Sequence, residues 1–361
     1  MLPLIYLTGT PYQQGRQHGE VLREQIAHNL EVYFDCFKHE GKLTRSEVLQ
    51  RAKQYGEAIA TQNSHYYSAM VGVAAGAERT LAEIVALNIR YEILYYQNLE
   101  QYQDRRQKPD GCTAFAVAPQ ISANGHLLLG DNWDWISRVS GAVLHTTEQN
   151  GLQTLAFTEA GVVGGKIGLN SAGLGLAING ITSIHDDWKR LEKPFHVRCY
   201  EILHQRTFED AMAVVTESNR ACSANFLIAQ TPDHIINIEA APDVAYCTGV
   251  ANNYLVHSNH FVSPKGAAHE PKTEDHHSSC HRYDRLHELL GSQIPVTMAA
   301  IAGYLRDHTN HPEAICYHGE PVSPPEEEYR TVTSIIMDLN EQVMYLTDGL
   351  PCQNEYEAYE L

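Results

Sequence analysis

A cysteine preceded by glycine, in the run Lys108-Pro109-Asp110-Gly111-Cys112-Thr113-Ala114-Phe115, is the pair in this chain best suited to do chemistry. The pattern before it is helical and charged, and the pattern after it is β-like and glycine-rich, so Gly111–Cys112 marks a junction. At such a junction the thiol can attack the preceding carbonyl, an N→S acyl shift can follow, and hydrolysis leaves Cys112 as a new N-terminus. A free α-amine titrates at roughly pH 8 and lies within reach of the sulfur, so the residue would carry its own base. A thiol with a pKa of about 8.5 is already partly thiolate at neutral pH.

Acyl transfer also needs a group that orients the amine and donors for an oxyanion. In Gly130-Asp131-Asn132-Trp133-Asp134-Trp135, expected at a strand end, a carboxylate would hold and polarise the new amine. Pattern alone does not choose between Asp131 and Asp134, although Asp131 reads more as a solvated or turn residue. Asn259, in His257-Ser258-Asn259-His260, ends the apolar strand Tyr254-Leu255-Val256. Its amide is a fixed, uncharged donor suited to an oxyanion. Asn179, in Ala177-Ile178-Asn179-Gly180, is either a second donor or half of a favoured Asn-Gly turn.

The elements that must position these residues fall into two parts, 1–111 and 112–361. Residues 1 to about 107 read as helical, with Leu22, Ile26, Leu30, Tyr33 and Phe37 at helical spacing after Gly15-Arg16-Gln17-His18-Gly19. Thr80 and Glu83 form a capping box for a helix running through Tyr96. The polar tract Gln97 to Lys108 reads as an exposed linker that tolerates cleavage. After Cys112 the period becomes two. Strands are expected at 113–118, 126–130, 141–146, 154–158, 166–169 and 173–178, then near 224–230, 234–240 and 253–257. Helices are expected at about 189–206, 208–217, 280–291 and 296–307, with a closing hairpin at 332–347. Strands, paired helices and more strands imply an α+β fold of two stacked antiparallel sheets with helices outside.

With 361 residues, the chain can bury a full core. A net charge of −18 and the absence of a basic stripe argue against nucleic acid and anionic lipid as partners. The start, Met1-Leu2-Pro3-Leu4-Ile5-Tyr6-Leu7, lacks a signal-peptide pattern, and no stretch approaches the roughly 18 apolar residues of a membrane span. The C-terminus, Tyr359-Glu360-Leu361, lacks a Ser-Lys-Leu peroxisomal address. A cytoplasmic protein is expected. The eight cysteines include no C-x-x-C pair and read as reduced, mostly buried thiols.

The chain resembles the acyl-coenzyme A:isopenicillin N acyltransferase family, whose cysteine-nucleophile relatives include β-alanyl-amine hydrolases, penicillin V acylases and bile salt hydrolases. The resemblance rests on Gly9-Thr10-Pro11-Tyr12, Gly15, Gln17-His18-Gly19, Gly76-Ala77-Glu78-Arg79, Glu83-Ile84-Val85 and Leu87-Asn88-Ile89-Arg90. It continues through Asp110-Gly111-Cys112-Thr113, Asn132-Trp133-Asp134, Thr158-Glu159-Ala160-Gly161, Gly168-Leu169-Asn170-Ser171-Ala172-Gly173 and His257-Ser258-Asn259-His260. It implies the N-terminal-nucleophile hydrolase αββα sandwich, autocleavage between Gly111 and Cys112, and catalytic roles for Cys112, Asp134 and Asn259. Asn179 matches an asparagine of the bile salt hydrolase relatives.

Two departures bear on substrate and on the cleavage step, respectively. Relatives often follow the Ile315-Cys316 block with arginine, where this chain has Tyr317 and His318, the expected substrate-binding pair. Ala114 stands where the penicillin enzyme has a second threonine. The run His276-His277-Ser278-Ser279-Cys280-His281 invites a metal, but its spacing fits no closed tetrahedral site, and Ser278 or Ser279 reads as the N-cap of the next helix. The expected activity is therefore hydrolysis or transfer of a small N-acyl amide or acyl thioester through an acyl-enzyme. No cofactor or metal is needed, although a coenzyme A thioester can serve as co-substrate. An acyl-coenzyme A-dependent N-acyltransferase shares every residue named. An uncleaved, metal-regulated binding protein using the histidine-rich loop is the alternative of another class.

Overall fold

The structure, a computed structural model, describes residues 2–101, 111–271, 277–319 and 328–361. One sheet holds β1 (Leu4–Thr8), β4 (Gly141–Thr147), β5 (Gln153–Glu159), β6 (Ile167–Asn170), β7 (Leu174–Gly180), β8 (Ala224–Gln230), β9 (His234–Ala241) and β10 (Val244–Gly249), in that spatial order. The other holds β11 (Tyr254–His257), β2 (Cys112–Val117), β3 (Leu128–Ile136), β12 (Tyr329–Asp338), β13 (Val343–Leu346) and β14 (Glu357–Glu360). The sheets meet through β2, β3, β7 and β8. Helices α7 (Phe195–Leu203) and α8 (Phe208–Thr216) cover the first sheet, and α9 (His277–Ser292) and α10 (Met298–Tyr304) cover the second, which gives an αββα order.

Both faces of β2 are covered, so it reads as a continuous buried run. Its side chains nevertheless divide by alternation. Phe115 and Val117 pack with Leu286, Leu290 and Ile301 of the outer helices, whereas Cys112, Ala114 and Ala116 face the core between the sheets. Small residues on that face let the two sheets approach around the thiol.

The N-terminal segment supplies α1 (Pro11–Val21), α2 (Arg23–His39), α3 (Arg45–Gln62), α4 (Ser64–Ala77), α5 (Leu81–Asn88) and α6 (Arg90–Gln101). Helices α1 and α4 pack backbone to backbone. A Cβ on Gly15 would lie 2.0 Å from the Ala69 carbonyl oxygen, and one on Gly76 would lie 2.2 Å from that of Arg16.

Several expectations are corrected. The segment to about 107 is not wholly helical, because β1 pairs parallel with β4 at the sheet edge. Its alternation covers only five residues, with Ile5 and Leu7 buried. Too short to stand out in the sequence, it needed the edge to become a strand. The Thr80–Glu83 capping box forms, but its helix ends at Asn88 and restarts at Arg90. There the Asn88 amide turns back onto the Ile84 carbonyl (2.7 Å) and reaches the Gly161 carbonyl (2.9 Å). The helix expected at 189–206 loses its first part to a left-handed Leu191 (φ 52°), with Pro194 capping α7. Strands β10 and β14, edges with exposed faces, were not anticipated. The linker ending at Lys108 falls largely outside the described residues.

Candidate active site

Cys112 opens β2 opposite Trp133, and the ladder continues one bond further, where the Asp134 N–H donates to the Gly111 carbonyl at 2.8 Å. The Cys112 N–H donates to Asn259 Oδ1 at 2.9 Å. Arg282 of α9 donates through Nη1 to the Cys112 carbonyl (2.7 Å) and the Thr113 hydroxyl (3.0 Å), and through Nη2 to Asn259 Oδ1 (2.9 Å). Asn259 Nδ2 donates to the Gly180 carbonyl at 2.9 Å. Ser279 holds Asn259 in turn, its hydroxyl accepting from the Asn259 N–H at 2.7 Å. One guanidinium and one amide thus fix the backbone on both sides of the Cys112 side chain.

Asp134 lies inside β3, not beyond a strand end, because β12 extends the ladder past it. Its Oδ1 accepts from the Thr331 hydroxyl at 2.6 Å, and that hydroxyl accepts from the Tyr317 N–H at 2.9 Å. Asp131 is fully buried rather than solvated. Its carboxylate accepts weakly from the Ile178 N–H (3.4 Å), and burial pushes its pKa well above the usual carboxylate range. The alternation of β3 turns it inward, a direction the sequence does not reveal without the register.

Beside Cys112 is a small cavity walled by Tyr91 and Tyr95 of α6, Trp133 and Trp135 of β3, Phe195 of α7 and Lys166. Tyr91 stacks on Tyr95 (3.9 Å between centroids) and on Phe195 (4.3 Å). The Lys166 ammonium sits 3.0 Å from the Trp133 ring centroid and pairs with Glu159 at 2.5 Å. Glu159 also receives Arg90 and the Tyr33 hydroxyl. Burial pushes Lys166 down to about 7 against the pull of Glu159, whereas Arg90 and Lys166 overcome burial and hold Glu159 far below the usual range.

The N-terminal motifs converge behind this ion group. His18 Nε2 accepts from the Gly161 N–H at 3.0 Å, which requires a neutral ring, and burial lowers its pKa to about 4. Asn29 donates to the Ala160 carbonyl at 3.0 Å, and Asn88 accepts from the Val163 N–H at 2.9 Å. The helices therefore grip the 159–163 turn that carries Glu159 and leads to Lys166.

Cys112, Asp134 and Asn259 come together around one peptide. Asn179 is buried one layer away, accepting from Asn225 Nδ2 (3.0 Å) with its own amide 3.5 Å from the His257 carbonyl. Tyr317 is buried, and its backbone N–H supports the Thr331 hydroxyl that donates to Asp134, while the His318 ring points to Cys316, Cys352 and His308. Neither is among the residues that line the cavity. Ser278 and Ser279 are inside α9 rather than at its cap, since the Ser279 hydroxyl is committed to Asn259. His276 lies outside the described residues; His277 and His281 meet at 3.1 Å on the exposed face of α9. Sequence reasoning missed Arg282 and Lys166 as site residues. Arg282 left a trace: it shares the buried face of α9 with Leu286 and Leu290, a cation on an apolar stripe.

The αββα sandwich is that of the N-terminal-nucleophile hydrolases, and Cys112 opens its strand β2. The family described as acyl-coenzyme A:6-aminopenicillanic acid acyl-transferase matches residues 122–351, and the chain belongs to it. A relative in Emericella nidulans, the acyl-coenzyme A:6-aminopenicillanic-acid-acyltransferase 40 kDa form, is 28% identical over 315 residues, covering 85% of this chain and 82% of that protein. Among solved structures, the Caenorhabditis elegans N-acylethanolamine-hydrolyzing acid amidase ortholog aligns at 14% identity and a TM-score of 0.47, covering 69% of this chain and all (100%) of that one. Penicillin V acylase from Agrobacterium tumefaciens aligns at 13% and 0.46, covering 66% and 83%. No helix among the described residues is long and apolar enough to cross a membrane.

Proposed function

We propose that this acyl-transfer enzyme matures by cutting its own Gly111–Cys112 bond and then works through an acyl-enzyme on Cys112. The observation that carries the reading is the peptide itself. The Gly111 carbonyl receives the Asp134 N–H, the Cys112 N–H is held by Asn259, and the next carbonyl is held by Arg282. In maturation the Cys112 sulfur attacks the Gly111 carbonyl carbon, and the Asp134 N–H meets the oxygen that becomes negative. The C–N bond breaks as its nitrogen takes a proton, and water cleaves the resulting thioester. The pieces 1–111 and 112–361 stay together, because Tyr91 and Tyr95 from the first wall the cavity beside the nucleophile of the second.

In turnover the freed α-amine, oriented by Asp134, accepts the thiol proton. The sulfur then attacks an amide or thioester carbonyl. Asn259 Nδ2 is the proposed oxyanion donor, with Asn179 a weaker second. The leaving group takes the proton, and water or an acceptor amine releases the acyl group. The reading needs no cofactor; a coenzyme A thioester enters only as an acyl donor, as the name of the Emericella nidulans relative suggests. The close aromatic walls favour a small or slender acyl group, with small N-acyl amides as substrates and the cytoplasm as the compartment. Intact-mass analysis tests processing, and a screen of penicillin V, N-acyl amino acids, β-alanyl amines and acyl-coenzyme A donors tests substrate. We expect simple N-acyl amines or amino-acid amides to outperform penicillin V. Penicillin V as clear best substrate, with a strict need for its carboxylate, would overturn that expectation.

A further inference from the structure

Away from the cavity, two loops bring together two thiols and two imidazoles. His308, Cys316 and His318 lie between α10 and β12, and Cys352 lies between β13 and β14; their four ligand atoms are within 4.8 Å of one another. Cys316 is fully buried, His318 and Cys352 are half-buried, and His308 is exposed, so the group has a closed inner side and an open outer one.

Hydrogen bonding among the four does not account for this arrangement. His318 Nε2 is met at once by His308 Nε2 (2.9 Å), Cys352 Sγ (3.2 Å) and Cys316 Sγ (3.7 Å). A ring nitrogen offers one proton or one lone pair, so at most one of these contacts is a good hydrogen bond. A cation at the centre would satisfy all four. With Zn–S about 2.3 Å and Zn–N about 2.0–2.1 Å, a tetrahedron has edges of roughly 3.3–3.8 Å, comparable with the 2.9, 3.2 and 3.7 Å contacts of His318 Nε2. Two thiolates and two neutral imidazoles also balance a divalent ion and match the ligand softness of zinc.

We propose that His308, Cys316, His318 and Cys352 bind one structural Zn²⁺, the two thiol protons passing to solvent. The ion would tie the 305–318 loop to the C-terminal 347–356 loop, which Arg306 already approaches by donating to the Pro351 carbonyl at 2.7 Å. It would also brace the strand bearing Asp134. Asn132 donates to the Leu305 and Ile315 carbonyls at 2.9 Å each, and Tyr317, next to Cys316, supports the Thr331 hydroxyl that donates to Asp134.

The test is metal analysis of the full chain purified without chelator, then after zinc loading and dialysis. One zinc per chain is expected, falling to near zero in Cys352→Ser. Cobalt substitution should give the visible bands of a tetrahedral, thiolate-ligated ion. His308→Ala, at an exposed position, keeps the test valid if Cys352→Ser folds poorly; its zinc affinity should drop at least tenfold. Zinc that stays equally tight in both variants, protein that takes up none after loading, or a Cys316–Cys352 disulfide in metal-free native protein would each overturn the proposal.

Discussion

Gly111→Ala probes the contact on which self-cleavage is proposed to depend. The difficulty for alanine at this position is space. A Cβ there would sit 2.5 Å from Asp134 Oδ2 and 3.3 Å from its Cβ and Cγ. The carboxylate cannot swing clear without stretching its 2.6 Å bond from Thr331. A hydrogen bond to a charged group is worth about 1.5–3 kcal/mol, and each 1.4 kcal/mol is tenfold in rate, so maturation should slow by roughly 10–10²-fold. Once the bond is cut, residue 111 is a chain end and no longer part of the Cys112 peptide. Enzyme that does mature should then turn over at the wild-type rate per active site. The assay is a time course of intact mass, followed by kcat measured on the processed fraction. Maturation within about twofold of wild type would refute the steric argument at this precision. An equal loss in kcat would show that position 111 acts in the mature site.

Cys112→Ala should remain one chain by intact mass, with no acyl-enzyme trapped. Asn259→Ala should lower turnover by roughly 10²–10³-fold in steady-state assays while circular dichroism stays unchanged, and Asn179→Ala should cost less. Lys166 beside Cys112 is pushed down to about 7 by burial, so turnover that uses its charge should fall as pH rises through 7, a limb absent from the pH profile of Lys166→Met. Burial raises Glu92 to about 7 although it accepts from the Phe195 N–H. Stability from this raised pKa is complete below about 4.5 and is lost as pH rises through about 7; Glu92→Gln should flatten that fall in thermal melts across the window.

Some of this was written locally. The capping pair Thr80–Glu83 and the strand at Ala224–Gln230 depend on neighbours in sequence, so they could be read there. Cys112 and Asn259 could be proposed because residue type, glycine and strand ends limit what a thiol and an amide can do, whereas Asp134 was set apart from Asp131 by the family resemblance. Direction and partner were not. Asp131 and Asp134 differ by alternation across a ladder whose register is set by β2 and β12. Arg282 reaches Cys112 across 170 residues, and Lys166 enters the cavity only because His18, Asn29 and Asn88 hold the turn before it. Of the His308–Cys352 cluster only Cys316 and His318 stand close in sequence; the full set meets when strands β12 to β14 fold two loops onto each other. Sequence fixes which chemistry each side chain can do; sheet register and long-range closure decide which of them meet.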